Sequence, residues 1–172
     1  MGFTSKTVIL CAGLALAACS NPDRFEGQAG LGAGNGGAGG AGMSGSAQDP
    51  TSGAYFQQAI GDRVLFAVDQ STLSNEAQAT LDRQAQWLIS NPEYDAIIEG
   101  HADEQGTREY NLALGARRAN AAQEYLVSRG VAGNRIEVVS YGKERPLEIC
   151  SEESCYRQNR RAVTVLTPRA GS

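Results

Sequence analysis

Three polar residues stand where chemistry could be done: Asp103, Asn111 and Arg118. The segment from Thr107 to Arg129 reads as a helix. Projected at about 100° per residue, Leu112, Leu114, Ala119, Ala121, Ala122, Tyr125 and Leu126 share one half of the wheel. Arg117, Asn120, Gln123 and Glu124 fill the other half. Asn111 and Arg118 fall in the middle of the apolar half. A guanidinium on a core-facing stripe must be paired, or it must face a pocket. Asp103, just upstream of the helix, is its natural partner. Two readings are open: an Asp–Arg pair stapling loop to helix, or an arginine that faces a pocket. Catalysis has less support. The chain has one histidine, His101, and no Ser–His pairing that would suggest nucleophilic hydrolysis. Asp103 and Glu104 are neighbours in a loop, whereas glycoside hydrolysis wants two acids facing across a cleft. The expectation is a binding protein, not an enzyme, with no metal and no cofactor.

The elements that must position these residues can be read from pattern. Arg63–Val68 reads as a buried strand and 69–72 as a loop. Ser74 is an N-cap with Glu76 in the first turn, and Ala77, Leu81, Ala85 and Leu88 form one stripe until Asn91-Pro92 stops the helix. Ala96–Gly100 is a second strand. The loop of Asp103 follows, then Thr107 as a second N-cap, and Gly130 as the residue ending that helix. Arg135–Ser140 and Ala162–Leu166 are the last strands, separated by a long polar loop from Tyr141. The order β-α-β-α-β-β predicts an α/β sandwich, with helices packed on one face of a small mixed sheet.

Composition fixes what surrounds this block. The net charge of −4 gives no sign of a nucleic-acid partner. Of 21 glycines, ten fall between Gly27 and Gly45, a tract that reads as flexible linker. What remains suits one core and excludes a multidomain enzyme or a polytopic membrane protein. At the start, Lys6 precedes an apolar run, Val8–Ala18, that is too short to span a bilayer and reads as a secretory signal. Leu16-Ala17-Ala18-Cys19 resembles the lipobox of bacterial lipoproteins, which implies a lipid-modified Cys19 in a Gram-negative envelope. Ser20 at the second mature position implies export to the outer membrane, with the domain facing the periplasm. The expected organisation is signal peptide 1–18, lipidated N-terminus and linker 19–53, and a folded domain 54–169. In an oxidising compartment, Cys150 and Cys155 in Cys-Ser-Glu-Glu-Ser-Cys are expected to form a disulfide. One histidine and two thiolates do not make a zinc site.

Resemblance then bears on the open choice. Ile98-Glu99-Gly100-His101-Ala102-Asp103, Gly106, Tyr110-Asn111, Leu114, Arg117-Arg118-Ala119, Gly130-Val131, Tyr141-Gly142 and Asn159-Arg160-Arg161 together resemble the OmpA-like peptidoglycan-binding domain family across residues 60–168. Within it, the Gly-His-Ala-Asp-Glu and Ser-Tyr-Gly-Lys-Glu-Arg-Pro segments are most similar to its lipoprotein branch. The resemblance implies non-covalent binding of the meso-diaminopimelate stem peptide of peptidoglycan. It implies that Asp103 and Arg118 grip the zwitterionic end of that residue, with Asn111, Leu114, Asp69 and Arg160 near the site. It also implies Tol-system partners, chiefly the periplasmic propeller protein TolB. The chain departs from the family at Ala67, where many members carry an aspartate.

Overall fold

The structure is a computed structural model and describes residues 45–169. Cys19, the signal segment and most of the glycine tract lie outside the described residues. Four strands, β1 (Arg63–Leu65), β2 (Tyr94–His101), β3 (Ile136–Gly142) and β4 (Arg161–Pro168), form one sheet in the order β1-β4-β2-β3. β2 and β3 are parallel, and β4 runs antiparallel to both β1 and β2, so the sheet is mixed. Helices α1 (Gly53–Tyr55), α2 (Asn75–Ser90), α3 (Arg108–Ser128) and α4 (Glu153–Asn159) complete the fold, with a π-helical turn, Phe56–Gly61, continuing α1. Among the described residues no helix is long and apolar enough to cross a membrane.

Both long helices begin and end where their sequences place the signals. The Ser74 hydroxyl accepts from the Ala77 amide, and the Thr107 hydroxyl from the Tyr110 amide. At the far end of α3, Gly130 takes a φ of 99°, which a side chain would oppose. Its amide donates to Val127, and the Val131 amide donates to Leu126, closing the helix in a Schellman motif. Val131 and Leu126 are both buried, the apolar contact that usually accompanies this turn.

The core lies between α2 and α3 and one face of the sheet. Leu81, Ala85 and Leu88 of α2 meet Ile98 of β2 and Ala119, Ala122 and Leu126 of α3. The rings of Phe56 and Trp87 pack at a tilt of 56°, with centroids 4.9 Å apart. The approach of α3 to β2 depends on two glycines. A Cβ on Gly100 would lie 1.9 Å from the Gly115 carbonyl, so neither residue can carry a side chain at this separation. The register of β2 against β3 slips at Gly100/His101, and the Ala102 amide donates to the Gly142 carbonyl. That irregularity turns the chain after β2 toward the start of α3 and sets the position of Asp103.

Two expectations need correction. β1 ends at Leu65 and not at Val68. The Phe66 amide still donates to the Arg160 carbonyl, but the Phe66 and Ala67 carbonyls accept from the guanidinium groups of Arg160 and Arg118. The polar loop after β3 is not wholly irregular: Tyr141 and Gly142 still belong to β3, and the loop contains α4. Residues just before Ala54 also pack on the domain. Ser52 is buried, and the Trp87 indole donates to the Pro50 carbonyl at 2.7 Å.

Candidate functional site

The end of β2, the first turns of α3 and the loop between β1 and α2 surround a cleft of about 250 Å³. Asp69, Asp103, Asn111 and Leu114 line it, together with Val68, Gln105, Gly106 and Tyr110. Four of the six residues expected at the site therefore face one cavity. The other two, Arg118 and Arg160, lie behind its wall, almost wholly buried.

The pairing of the charges differs from the expectation. Asp103 does not take Arg118 as its hydrogen-bond partner; its Oδ2 accepts from Arg160 Nη1 at 3.1 Å. Arg118 is fully buried and donates to three carbonyls: Gln70 at 2.8 Å, His101 at 2.9 Å and Ala67 at 3.1 Å. Its guanidinium also lies over the Phe66 ring, 5.3 Å from the centroid. One side chain thus fixes the β1–α2 loop to the end of β2. Burial pushes the Arg118 pKa down to about 10, while the nearby Asp103 and Asp69 carboxylates oppose that shift. It remains a cation at neutral pH. At Ala67, where the family often has an aspartate, it is the backbone that contributes.

Around the rim, Asn111 donates to the Gln105 carbonyl at 2.8 Å and shapes the loop after Asp103. The Gln105 amide donates back to Asp103 Oδ1 at 3.2 Å. Asp69 takes a φ of 56°, a left-handed conformation that aspartate tolerates better than most residues. Its carboxylate accepts from the Tyr110 hydroxyl, a bond that links the β1–α2 loop to the start of α3 across the cleft. On the other side of Arg160, Glu153 of α4 accepts from both terminal guanidinium nitrogens. Tyr110 and Glu153 were not singled out as site residues from sequence. The position of Tyr110 beside Asn111 in the first turn of α3 was the available signal. Glu153 had none, since α4 is folded back on the site by tertiary contacts alone. Cys150 and Cys155 are bonded to each other, with Cα atoms 6.0 Å apart. Among the described residues no group of three or more metal-capable side chains converges.

The family model described as the OmpA family matches residues 65–160, the span that contains every element around this cleft. The chain belongs to the OmpA family. Two curated relatives share a name. It is 54% identical over 160 residues to the peptidoglycan-associated lipoprotein of Rhizobium meliloti, covering 92% of this chain and 85% of that protein. It is 52% identical to the protein of the same name from Mesorhizobium japonicum, covering 93% and 90%. The crystal structure of the peptidoglycan-associated lipoprotein from Burkholderia pseudomallei superimposes with a TM-score of 0.64 at 38% identity, over 69% of this chain and all of that one. The C-terminal domain of Helicobacter pylori MotB, at 19% identity and a TM-score of 0.59, shares the fold of this OmpA-family domain.

Proposed function

We propose that this chain is a non-catalytic, lipid-anchored protein of the outer membrane that binds the diaminopimelate stem peptide of peptidoglycan. The observation that carries the reading is the cleft itself: an acceptor-rich rim of Asp103 and Asp69 above a buried Arg118. Diaminopimelate presents an ammonium and a carboxylate on one carbon. The ammonium suits Asp103, whose Oδ1 is engaged only by a backbone amide on its own loop. Arg118, buried behind the wall with its guanidinium donating to three carbonyls, would draw the ligand carboxylate by its charge. Asn111 and Leu114 form the wall between them. A small zwitterion on a peptide fits a cleft of this volume. The similarity to peptidoglycan-associated lipoproteins supports the same reading. By that similarity the protein would join membrane to cell wall and partner TolB and other Tol proteins.

Co-sedimentation with purified sacculi tests it. Asp103→Ala should reduce binding by roughly 30-fold or more, because truncating one member of a charged, hydrogen-bonded pair costs about 2–5 kcal/mol. Arg117→Ala, on the exposed half of α3, should bind nearly as the parent does. Unchanged binding by a folded Asp103→Ala protein would remove the site assignment. Release of soluble peptides from the sacculi would remove the non-catalytic reading. Capture of TolB from an envelope extract by the parent chain tests the partner.

A further inference from the structure

The buried Arg160 stands between two carboxylates. On the cleft side it donates to Asp103, and on the outer side to Glu153. Arg160 is 3% exposed and also donates from Nε to the Phe66 carbonyl, so the guanidinium itself is fixed. Burial alone would lower its pKa, but the bonds to Glu153 and Asp103 reverse that effect and raise it. Glu153 is exposed and is held below the usual carboxylate range by Arg160, its hydrogen-bond donor, and by the charge of Arg157.

Counting the charges gives Glu153 a role. Asp69 and Asp103 on the rim are matched by Arg118 and Arg160 behind it, so those four sum to zero. Glu153 is the fifth and leaves these five one charge negative, with the exposed Arg157 beyond it on the outer side. Without it, the whole guanidinium charge of Arg160 would act on Asp103 and oppose an incoming ammonium.

The position of Glu153 is set covalently. It lies inside the ring closed by Cys150 and Cys155, on the first turn of α4, where the amides of Cys155 and Tyr156 donate to the Glu152 carbonyl. Asn159 grips the preceding limb of the loop by accepting from the Leu147 and Glu148 amides and donating to the Glu148 carbonyl. The disulfide holds the next stretch, where Ile149 is almost fully exposed and contributes no packing.

We infer that Glu153, held by the Cys150–Cys155 ring, is a positioning residue that acts through Arg160 to keep Asp103 available to the ammonium of a ligand. The inference rests on the stem-peptide reading of the cleft. Its test uses the full chain in detergent and two soluble probes: a stem peptide with the free diaminopimelate amine, and the same peptide with that amine acetylated. Glu153→Gln should weaken binding of the free-amine peptide about three- to fivefold, the scale of a solvent-accessible ion pair. It should leave the acetylated peptide's weaker binding unchanged. The Cys150→Ser/Cys155→Ser double variant should show the same selective loss and add little in combination with Glu153→Gln. Equal losses for both peptides would make Glu153 a structural residue and overturn the inference. So would free-amine binding at the parent level by Glu153→Gln, if Asp103→Ala abolishes it; the cleft reading would then stand alone. Parent-level binding of the free-amine peptide by Asp103→Ala would overturn both.

Discussion

A cation with no exposed surface must find its partners inside the protein, and Arg118 finds three backbone carbonyls and an aromatic face. Hydrogen bonds from a charged donor contribute about 1.5–3 kcal/mol each, and a buried carbonyl left unpaired adds its own penalty. Arg118→Ala should therefore lower the unfolding free energy by roughly 3 kcal/mol or more, as well as weaken ligand binding. Arg118→Lys separates the two effects. It keeps the charge but cannot reach three carbonyls with a fork, so both stability and binding should fall, stability by less than in the alanine variant. Urea unfolding of the two variants beside sacculus binding checks this; parent-like stability in Arg118→Ala would contradict the three-carbonyl role. The sequence shows that Arg118 is anomalous, because a charge on an apolar stripe is visible in the pattern alone. It does not show which acceptors resolve the anomaly. Two of the three lie 48 and 51 positions away, at Gln70 and Ala67, in a loop whose path depends on the arginine.

At the scale of elements, the contact between β2 and α3 governs the cleft, since Asp103 follows one and Asn111 and Leu114 ride on the other. Gly115→Ala would place a Cβ 2.5 Å from Ser140 Oγ and 2.8 Å from the Gly100 carbonyl. Separating helix from strand to admit it should cost about 1–3 kcal/mol, read as a lowered melting temperature, and should loosen the cleft. A melting temperature equal to the parent's would show that α3 can shift freely. The disulfide works on a shorter element. A ring of this size restricts the unfolded chain by about 2 kcal/mol in the loop-entropy treatment, so the double serine variant should lose about that much in urea unfolding. Elements with strong local signals, the capped helices α2 and α3 and the alternating β2, were legible in the sequence. The segments around α1 and α4 were not. Both are short, and Phe56, whose type signals burial, only acquires its partner Trp87 when α2 packs. Arg63–Val68 is apolar enough for a strand, yet β1 ends at Leu65, and beyond it the Phe66 and Ala67 carbonyls are taken by guanidinium donors that the pattern does not reveal.

For the molecule as a whole, His101 ties stability to acidity. It is buried at the end of β2, with its ring 5.6 Å from that of Tyr141. Burial, aided by the charges of Arg161 and Arg145, pushes its pKa from 6.5 down to about 4. Between those values the unfolded chain binds the proton and the folded one does not. Stability contributed by neutral His101 is therefore complete above about pH 6.5 and is lost as pH falls toward about 4, at up to about 1.4 kcal/mol per pH unit. His101→Phe should flatten the unfolding free energy between about pH 6.5 and about pH 5, above the range where most carboxylates titrate. Identical slopes in the two proteins would assign the effect to other groups.

β2 also connects two distant points. It begins at Tyr94, whose ring lies 5.2 Å from Trp87, the residue that holds the incoming chain at Pro50. It ends at His101, two residues before Asp103. A strand of eight residues spans roughly 26 Å. Tension applied between the incoming chain and the cleft therefore runs lengthwise along β2. Its hydrogen bonds to β3 and β4 lie across that line, so they are loaded together in shear and would have to break as a set. A pull that peeled the sheet from one edge would meet them one at a time. A pull from Pro50 toward Asp103 should therefore need more force than one that peels the sheet from an edge.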